Sequence, residues 1–482
     1  MAFGVPQLLA ILPELFVVGM AMAILVLDLY LKPGQRGITY TLTILTLLGG
    51  AALAAYLIPA QSQTILYEHF IHDRLSAVLK VVMLGMSAVA MVYARRSLQR
   101  LAMYRGELFI LVLLATAGMM LMASAGTLLM AYLGLELMSL SLYTMIAMDR
   151  DSVPATEGGL KYFILGSLAS GIFLYGLSLL FGASGSLELA VIAEHAATEG
   201  VGDPLLVMGT VFVAIGLAFK LGAVPFHMWV PDVYHGSPNP VTIILASTAK
   251  LAAFALLMRL MVDALGAMAP QWQEIAAVLA VLSLIIGNVV AIAQTDIKRM
   301  LAYSAIAHVG FLLIGMAAAP AAEDGYMAPV LYMIMYTLMG AASFGLIAIM
   351  HKRGAAGERI DDYAGLSQTH PWMAFMMLIL MFAMAGVPPT GGFMAKLYIF
   401  QAAVQADMVG LAVFGVVMAV VGAFYYLRIV KTMYFDGPET AMSPDQDGLA
   451  RGVLSVNALA VLALGIVPGP LVELCLYAVQ GL

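Results

Sequence analysis

The sequence predicts an all-α polytopic membrane protein of about fourteen transmembrane helices, ten of them in two inverted five-helix repeats with broken helices 7 and 12. Three observations carry that expectation. Of 482 residues, 63% are hydrophobic and only 10% charged, against about 25% charged in soluble domains. At about 20 apolar residues per crossing, the chain divides into runs at 8–31, 38–59, 73–94, 107–123, 126–148, 160–182, 204–235, 240–262, 273–294, 299–318, 327–350, 370–405, 408–434 and 452–476. Two of these, 204–235 and 370–405, are 32 and 36 residues long with prolines near their middles. A helix that long and interrupted by proline is expected to break.

Taken in order, the run 8–31 is long enough to span, and Met1-Ala2-Phe3-Gly4 before it has no basic n-region. It reads as a first transmembrane helix and not as a cleaved signal. Lysine and arginine, which collect on cytoplasmic loops, test the alternation that follows. Lys32, Arg36, Arg95, Arg96, Arg100, Arg105, Arg150, Lys161, Lys298, Arg299, Lys352, Arg353, Arg359, Arg428, Lys431 and Arg451 fall on one side, and only Arg74 and Arg259 on the other. Both termini are therefore expected outside. Acids mark the outer loops, with Glu188, Glu194, Glu199 and Asp203 between helices 6 and 7, where 187–197 reads as a short surface helix. No Gly-, Ser- or Pro-rich linker divides the chain, so 1–482 is expected as a single membrane domain. Within it lie three N-terminal helices (1–95), a first repeat (107–262), an inverted second repeat (273–434) and a C-terminal helix (452–482). The lone Cys475 excludes an intrachain disulfide and a cysteine-rich metal site.

The repeat is read from the two breaks. Paired interrupted spans in corresponding places point to an inverted-repeat transporter with its site near the midplane. Ala223-Val224-Pro225-Phe226 and Gly386-Val387-Pro388-Pro389 each fall in the fourth helix of a five-helix block. Five is odd, so consecutive blocks enter the membrane from opposite sides. Lys220 lies five residues before Pro225 and Lys396 eight after Pro388.

Ionisable residues inside spans are costly and usually functional. Glu136 in helix 5, Lys220 in helix 7, Lys250 in helix 8, His308 in helix 10 and Lys396 in helix 12 form a line of carboxylate, lysine, lysine, imidazole and lysine. Desolvation disfavours a charged lysine and a nearby carboxylate favours it, so charge moving along such a line can load and unload protons. The bland alternatives are a static Glu136–Lys220 ion pair and a hydrogen-bonded core histidine at 308. Lys80 is expected to snorkel at the outer end of helix 3, and Glu14 and Asp28 to be interfacial. His227 and His235 straddle Pro231 without making a convincing metal pair.

At these residues a family becomes recognisable. Phe219-Lys220-Leu221-Gly222-Ala223-Val224-Pro225-Phe226-His227-Met228-Trp229-Val230-Pro231 and Asp296-Ile297-Lys298-Arg299-Met300-Leu301-Ala302-Tyr303-Ser304-Ala305-Ile306-Ala307-His308 closely resemble motifs of the antiporter-like subunits of respiratory complex I. The resemblance implies that Glu136 and Lys220 are a modulating pair, Lys250 the central proton carrier, His308 part of the link and Lys396 the residue of a second half-channel. It implies a proton-translocating subunit of a bacterial inner-membrane NADH–quinone oxidoreductase, with periplasmic termini and neighbours K and M. No cofactor would sit in this chain; NADH, FMN, iron–sulfur clusters and a quinone would be used elsewhere in the complex. Multi-subunit Na⁺/H⁺ antiporters and membrane-bound hydrogenases share the motifs and are the nearest alternative. A non-pumping structural subunit is the other.

Overall fold

The computed structural model describes residues 5–352, 357–438 and 442–480. Arg353, counted above among the basic loop residues, lies outside them, as do Met1 to Gly4. The described chain is almost entirely helical. Helix 1 comprises Val5–Ala10 and Leu12–Asp28, followed by helices 2 (Gly37–Tyr56), 3 (Arg74–Arg100), 4 (Gly106–Ala123), 5 (Leu128–Ala147) and 6 (Val153–Ser184). A surface helix, Leu189–Glu199, precedes the halves of helix 7, 7a (Pro204–Leu221) and 7b (Trp229–Gly236). Helix 8 is Asn239–Ala246 and Thr248–Leu257, continued by a π-helical turn at Met258–Ala264. Helices 9 (Ala269–Ile292), 10 (Ile297–Ala318) and 11 (Met327–Ile349) lead to 12a (Pro371–Ala385), 12b (Gly391–Gln405) and 13 (Val409–Phe435). Helix 14 is again divided, Gly448–Ile466 and Gly469–Val479. Twelve described helical stretches can each cross a bilayer by length and composition, and helices 1 and 12 supply two more crossings from shorter pieces.

Helices 7 and 12 break as expected, and by the same local chemistry. Gly222 and Gly386 take φ of +80° and +84°, the left-handed region that only glycine enters freely. Each ends its half-helix in the same paired hydrogen-bond motif. Ala223 N–H donates to Ala218 O (2.8 Å) and Gly222 N–H to Phe219 O (3.0 Å); Val387 N–H donates to Phe382 O (2.9 Å) and Gly386 N–H to Ala383 O (3.1 Å). The motif satisfies the fourth- and third-last helical carbonyls and leaves the last two free, a feature on which the site depends.

Three divisions were not expected. Helix 8 is interrupted at Ser247 (φ −121°, ψ −87°), whose hydroxyl bonds back to Ile243 O at 2.5 Å. A serine can offer the backbone such an alternative partner without any proline to announce it. Helix 14 divides at Val467-Pro468, a proline passed over in reading 452–476 as continuous, and helix 1 is interrupted at Ile11 before Pro13. The loops also hold two short antiparallel pairs, Gln63–Ile65 with Phe70–His72 and Met350–Lys352 with Met442–Pro444.

Burial is uneven. In helix 10 every residue but Arg299 and Tyr303 is buried, and in helix 11 every residue but Leu338, so these two are enclosed by the others. Helices 2, 9, 13 and 14 keep broad apolar faces exposed, as lipid-facing helices do. Lipid supplies no hydrophobic drive for helix association, so close packing has to. A Cβ at Gly118 would stand 2.6 Å from Met138 N, and one at Gly134 2.9 Å from Met122 N, which brings helices 4 and 5 nearly backbone to backbone.

Contacts between loops obey the alternation. On one face Arg299 and Lys161 converge on Asp232, Arg100 pairs with Asp445 and Arg428 bonds Ile292 O. The opposite face joins Arg74 to Gln480, His69 to Thr127 and Gln273 to Ala317 O.

Candidate functional site

Lys220, Lys250, His308 and Lys396 are buried in the interior and Glu136 is half-buried, and the breaks position the three lysines. Lys250 follows the Ser247 interruption by three residues. Its Nζ donates to Leu221 O, the free carbonyl at the end of 7a, at 3.1 Å, and to Ala305 O of helix 10 at 3.4 Å. Lys396 does the same at the other break, donating to Met384 O (3.1 Å) and Ala385 O (2.8 Å), the last carbonyls of 12a. A helix C-terminus carries unpaired carbonyls and about half a negative charge. Each lysine is thus held by a backbone dipole with no carboxylate within 4.0 Å among the described residues.

Lys220, in the last turn of 7a, points instead towards helix 5. Its Nζ donates to Ser139 Oγ at 2.7 Å and Tyr143 OH at 3.4 Å. The expected Glu136–Lys220 contact is not direct: no approach within 4.0 Å joins them among the described residues, and Glu136 accepts from Ser170 of helix 6. Ser139, one turn beyond Glu136, takes the contact from Lys220 instead, while its own hydroxyl donates back to Leu135 O at 2.6 Å. His308 is 3% exposed and bonded at both ring nitrogens, Nδ1 to Tyr332 OH at 2.6 Å and Nε2 to Tyr426 OH at 3.2 Å. Tyr426 OH is in turn bonded to Ser304.

Aromatic rings occupy the intervals of the line. Lys220 Nζ stands 5.6 and 5.9 Å from the rings of Tyr143 and Tyr162, and Tyr162 stacks on Trp229 at 4.6 Å. Trp229 meets Tyr234 edge-on, and Lys250 Nζ lies 5.9 Å from both Tyr234 and Tyr336. Tyr336 reaches His308 at 5.1 Å, His308 meets Phe311, and Phe311 lies 4.6 Å beneath Lys396 Nζ. These rings stabilise ammonium groups in a dry interior through their quadrupoles. Sequence reading missed Ser139, Tyr143, Tyr234, Tyr332 and Tyr336. One signal was available: Ser139, Tyr143 and Tyr332, Tyr336 sit at i,i+3 or i,i+4 from another member of the line, hence on the same helix face.

The remaining charges separate from this line. Lys80 does not snorkel and Glu14 is not interfacial. They form an ion pair of 2.6 Å and are 2% and 6% exposed. Arg259, read as an outer-side residue, is a buried guanidinium bonded to Asp73 (2.7 Å), Asp263 (2.7 Å) and Ala123 O (2.8 Å). His235, Asp296 and Glu358 come within 4.8 Å of one another. Lys298 is the cation among them, donating to Glu358 at 3.2 Å and to the carbonyls of His235 and Ser237 at 3.0 and 2.8 Å.

Comparison with known proteins agrees with this architecture. The profile of the family described as NADH:quinone oxidoreductase/Mrp antiporter, transmembrane, matches residues 125–422. Subunit N of the NADH–quinone oxidoreductase of Thioalkalivibrio sulfidiphilus is 50% identical over the full length of both chains. The Acidithiobacillus ferrooxidans protein of the same name is 51% identical over 98% of this chain and 97% of its own. A chain of respiratory complex I from Thermus thermophilus superposes with a TM-score of 0.82 at 31% identity, covering 96% of this chain and 98% of that one. A chain of the Mrp complex from a Dietzia species shares the fold, with a TM-score of 0.84 at 22% identity over 99% and 97%. Enclosed helices 10 and 11, two half-helices ending on lysine ammonium groups and full-length identity near one half all point one way: the chain belongs to the NADH:quinone oxidoreductase/Mrp antiporter transmembrane family, in its subunit N branch.

Proposed function

We propose that this chain translocates protons as a membrane-arm subunit of an NADH–quinone oxidoreductase, through the line Glu136, Lys220, Lys250, His308 and Lys396. The observation that carries this reading is the matched placement of Lys250 and Lys396 on the free carbonyls of broken helices. An ammonium without a carboxylate partner in a dry interior contributes little to stability, whereas one that can give up its proton to a neighbour can carry charge. Redox chemistry belongs to other subunits, where NADH, FMN, iron–sulfur clusters and quinone would be held, and this chain responds to it. Moving one charge against 100 mV costs about 2.3 kcal/mol, so the free energy comes from outside the chain.

The repeats in this reading are 107–262 and 273–434, preceded by the helices of 1–95 and followed by 452–482. The basic face lies on the cytoplasmic side of a bacterial inner membrane, which makes the termini and the acidic Glu188–Asp203 loop periplasmic. Subunits K and M are the proposed neighbours.

The test is NADH-driven proton uptake by inside-out membrane vesicles carrying Lys396→Met, with assembly followed on native gels. Assembled complex with pumping reduced several-fold is expected; wild-type pumping would remove Lys396 from the line. A milder effect is expected at Ser139→Ala. Tyr143 OH still bonds Lys220, so losing the 2.7 Å contact from Ser139 should slow turnover by less than the Lys396 substitution does, without affecting assembly. An unchanged rate would reduce that contact to packing.

A further inference from the structure

Glu14 and Lys80 lie outside the line just described, in the N-terminal helices. We propose that they form the outer proton-exchange site of this chain, opening to the periplasmic face beside Arg259, Asp73 and Asp263. The inference rests on the proton-translocating reading above.

The first argument is the poverty of the pair's surroundings. Glu14 Oε1 is 2.6 Å from Lys80 Nζ as an ion pair, and neither carboxylate oxygen has a further hydrogen-bond partner among the described residues. The ring of Phe70 also faces Lys80 Nζ, 4.6 Å away. A buried ion pair repays its desolvation only when further hydrogen bonds satisfy its remaining donors and lone pairs. This pair lacks them, so it does little for the fold that an apolar pair would not do. What it offers is a short path for a proton. Transfer from Lys80 Nζ to Glu14 Oε1 breaks one N–H bond, makes one O–H bond and leaves an amine beside a carboxylic acid, with no net charge in the dry interior. The acid then releases its proton outward and the amine is reprotonated from within.

The second argument is continuity in both directions. Outward, Lys80 is seven residues from the helix N-terminus at Asp73, about 10 Å along the axis. There His72, 9% exposed with Nδ1 unpartnered among the described residues, adjoins Asp73. Asp73 accepts from Arg259, and the two line a cavity of about 200 Å³ with Asp263, Glu68 and Glu188. A polar cavity of that size has room for several waters. On helix 3 Ser76 lies outward of Lys80 and Ser87 inward, and the three fall within about 40° of one another at 3.6 residues per turn. All three are buried, and Ser87 Oγ accepts from Thr116 of helix 4 at 3.4 Å. Arg259 itself is carried nine residues beyond Lys250 by the π-helical turn of helix 8, and such turns recur at functional sites.

The test replaces both partners at once, Glu14→Gln with Lys80→Met, in the whole complex. Exchanging a buried ion pair for neutral groups of similar volume is neutral or stabilising when its role is structural. A static pair therefore predicts unchanged pumping by whatever complex assembles. Our proposal predicts normal assembly on native gels with proton uptake per NADH, or turnover itself, down several-fold. Wild-type pumping in the double variant overturns it, and so does failure to assemble, which would assign the pair to packing. Lys250→Met run in parallel separates the two readings. Collapse there with an unaffected double variant sinks this inference alone, and wild-type behaviour in both sinks the proton line as well.

Discussion

Lys250→Met is expected to leave the complex assembled while NADH–quinone turnover and proton uptake fall together by at least about tenfold, equivalent to some 1.4 kcal/mol or more on the limiting barrier. Assembly should survive because the substitution removes a buried charge whose desolvation burdens the fold. Its cost is the loss of a partner for Leu221 O and Ala305 O, about 1–3 kcal/mol for an unsatisfied buried acceptor. The methionine stem still fills the space between Tyr234 and Tyr336. Joint loss of both activities identifies an obligatory carrier, because electron transfer cannot proceed once the charge movement coupled to it is blocked. Turnover with pumping selectively lost would identify a slipping machine. Persistence of both at wild-type levels would return the lysine to a packing role.

Gly386→Val is expected to be severely damaging at the break of helix 12. Residue 386 has φ +84°, and a non-glycine residue in the left-handed region costs roughly 1–2 kcal/mol, more when β-branched. Its Cβ would also stand 2.9 Å from Lys396 Cδ and 3.2 Å from Nζ, pushing the ammonium off Met384 O and Ala385 O. Complex content on native gels should fall, and what assembles should pump poorly. Gly386→Ala separates the contributions, since it keeps the backbone strain and the short approach but not the branched bulk. Gly171→Ala, at a position with nothing within 4 Å, is the control and should behave as wild type. Wild-type pumping by assembled Gly386→Val would mean that the ammonium need not rest on the carbonyls of 12a.

Most of the scaffold was legible because its signals are local. Apolar run length marks a crossing wherever it occurs, and Pro225 and Pro388 announce two breaks. The Ser247 break was not legible, since nothing distinguishes that serine from Ser139 or Ser141, which bond back to their own helices without interrupting them. Glu14 and Lys80 were each read alone, at helix ends, and so assigned to the interface. Sixty-six residues apart, they become a pair only when the fold brings helix 1 alongside helices 2 and 4 and so within reach of Lys80. The burial of Arg259 on the outer side was illegible for the same reason: Asp73 lies 186 residues away.

The sequence by itself determined the crossings, their alternation, the two proline-marked breaks and the five ionisable residues of the line, since each depends on composition within a few turns of helix. Only the tertiary structure decided what those residues touch. It set Lys220 on Ser139 rather than on Glu136, set Lys250 and Lys396 on the free carbonyls of 7a and 12a, and filled the intervals with aromatic rings. Lipid favours no helix pair by hydrophobicity; glycine contacts, backbone breaks and polar partners select the packing, and they do so between residues far apart in the chain.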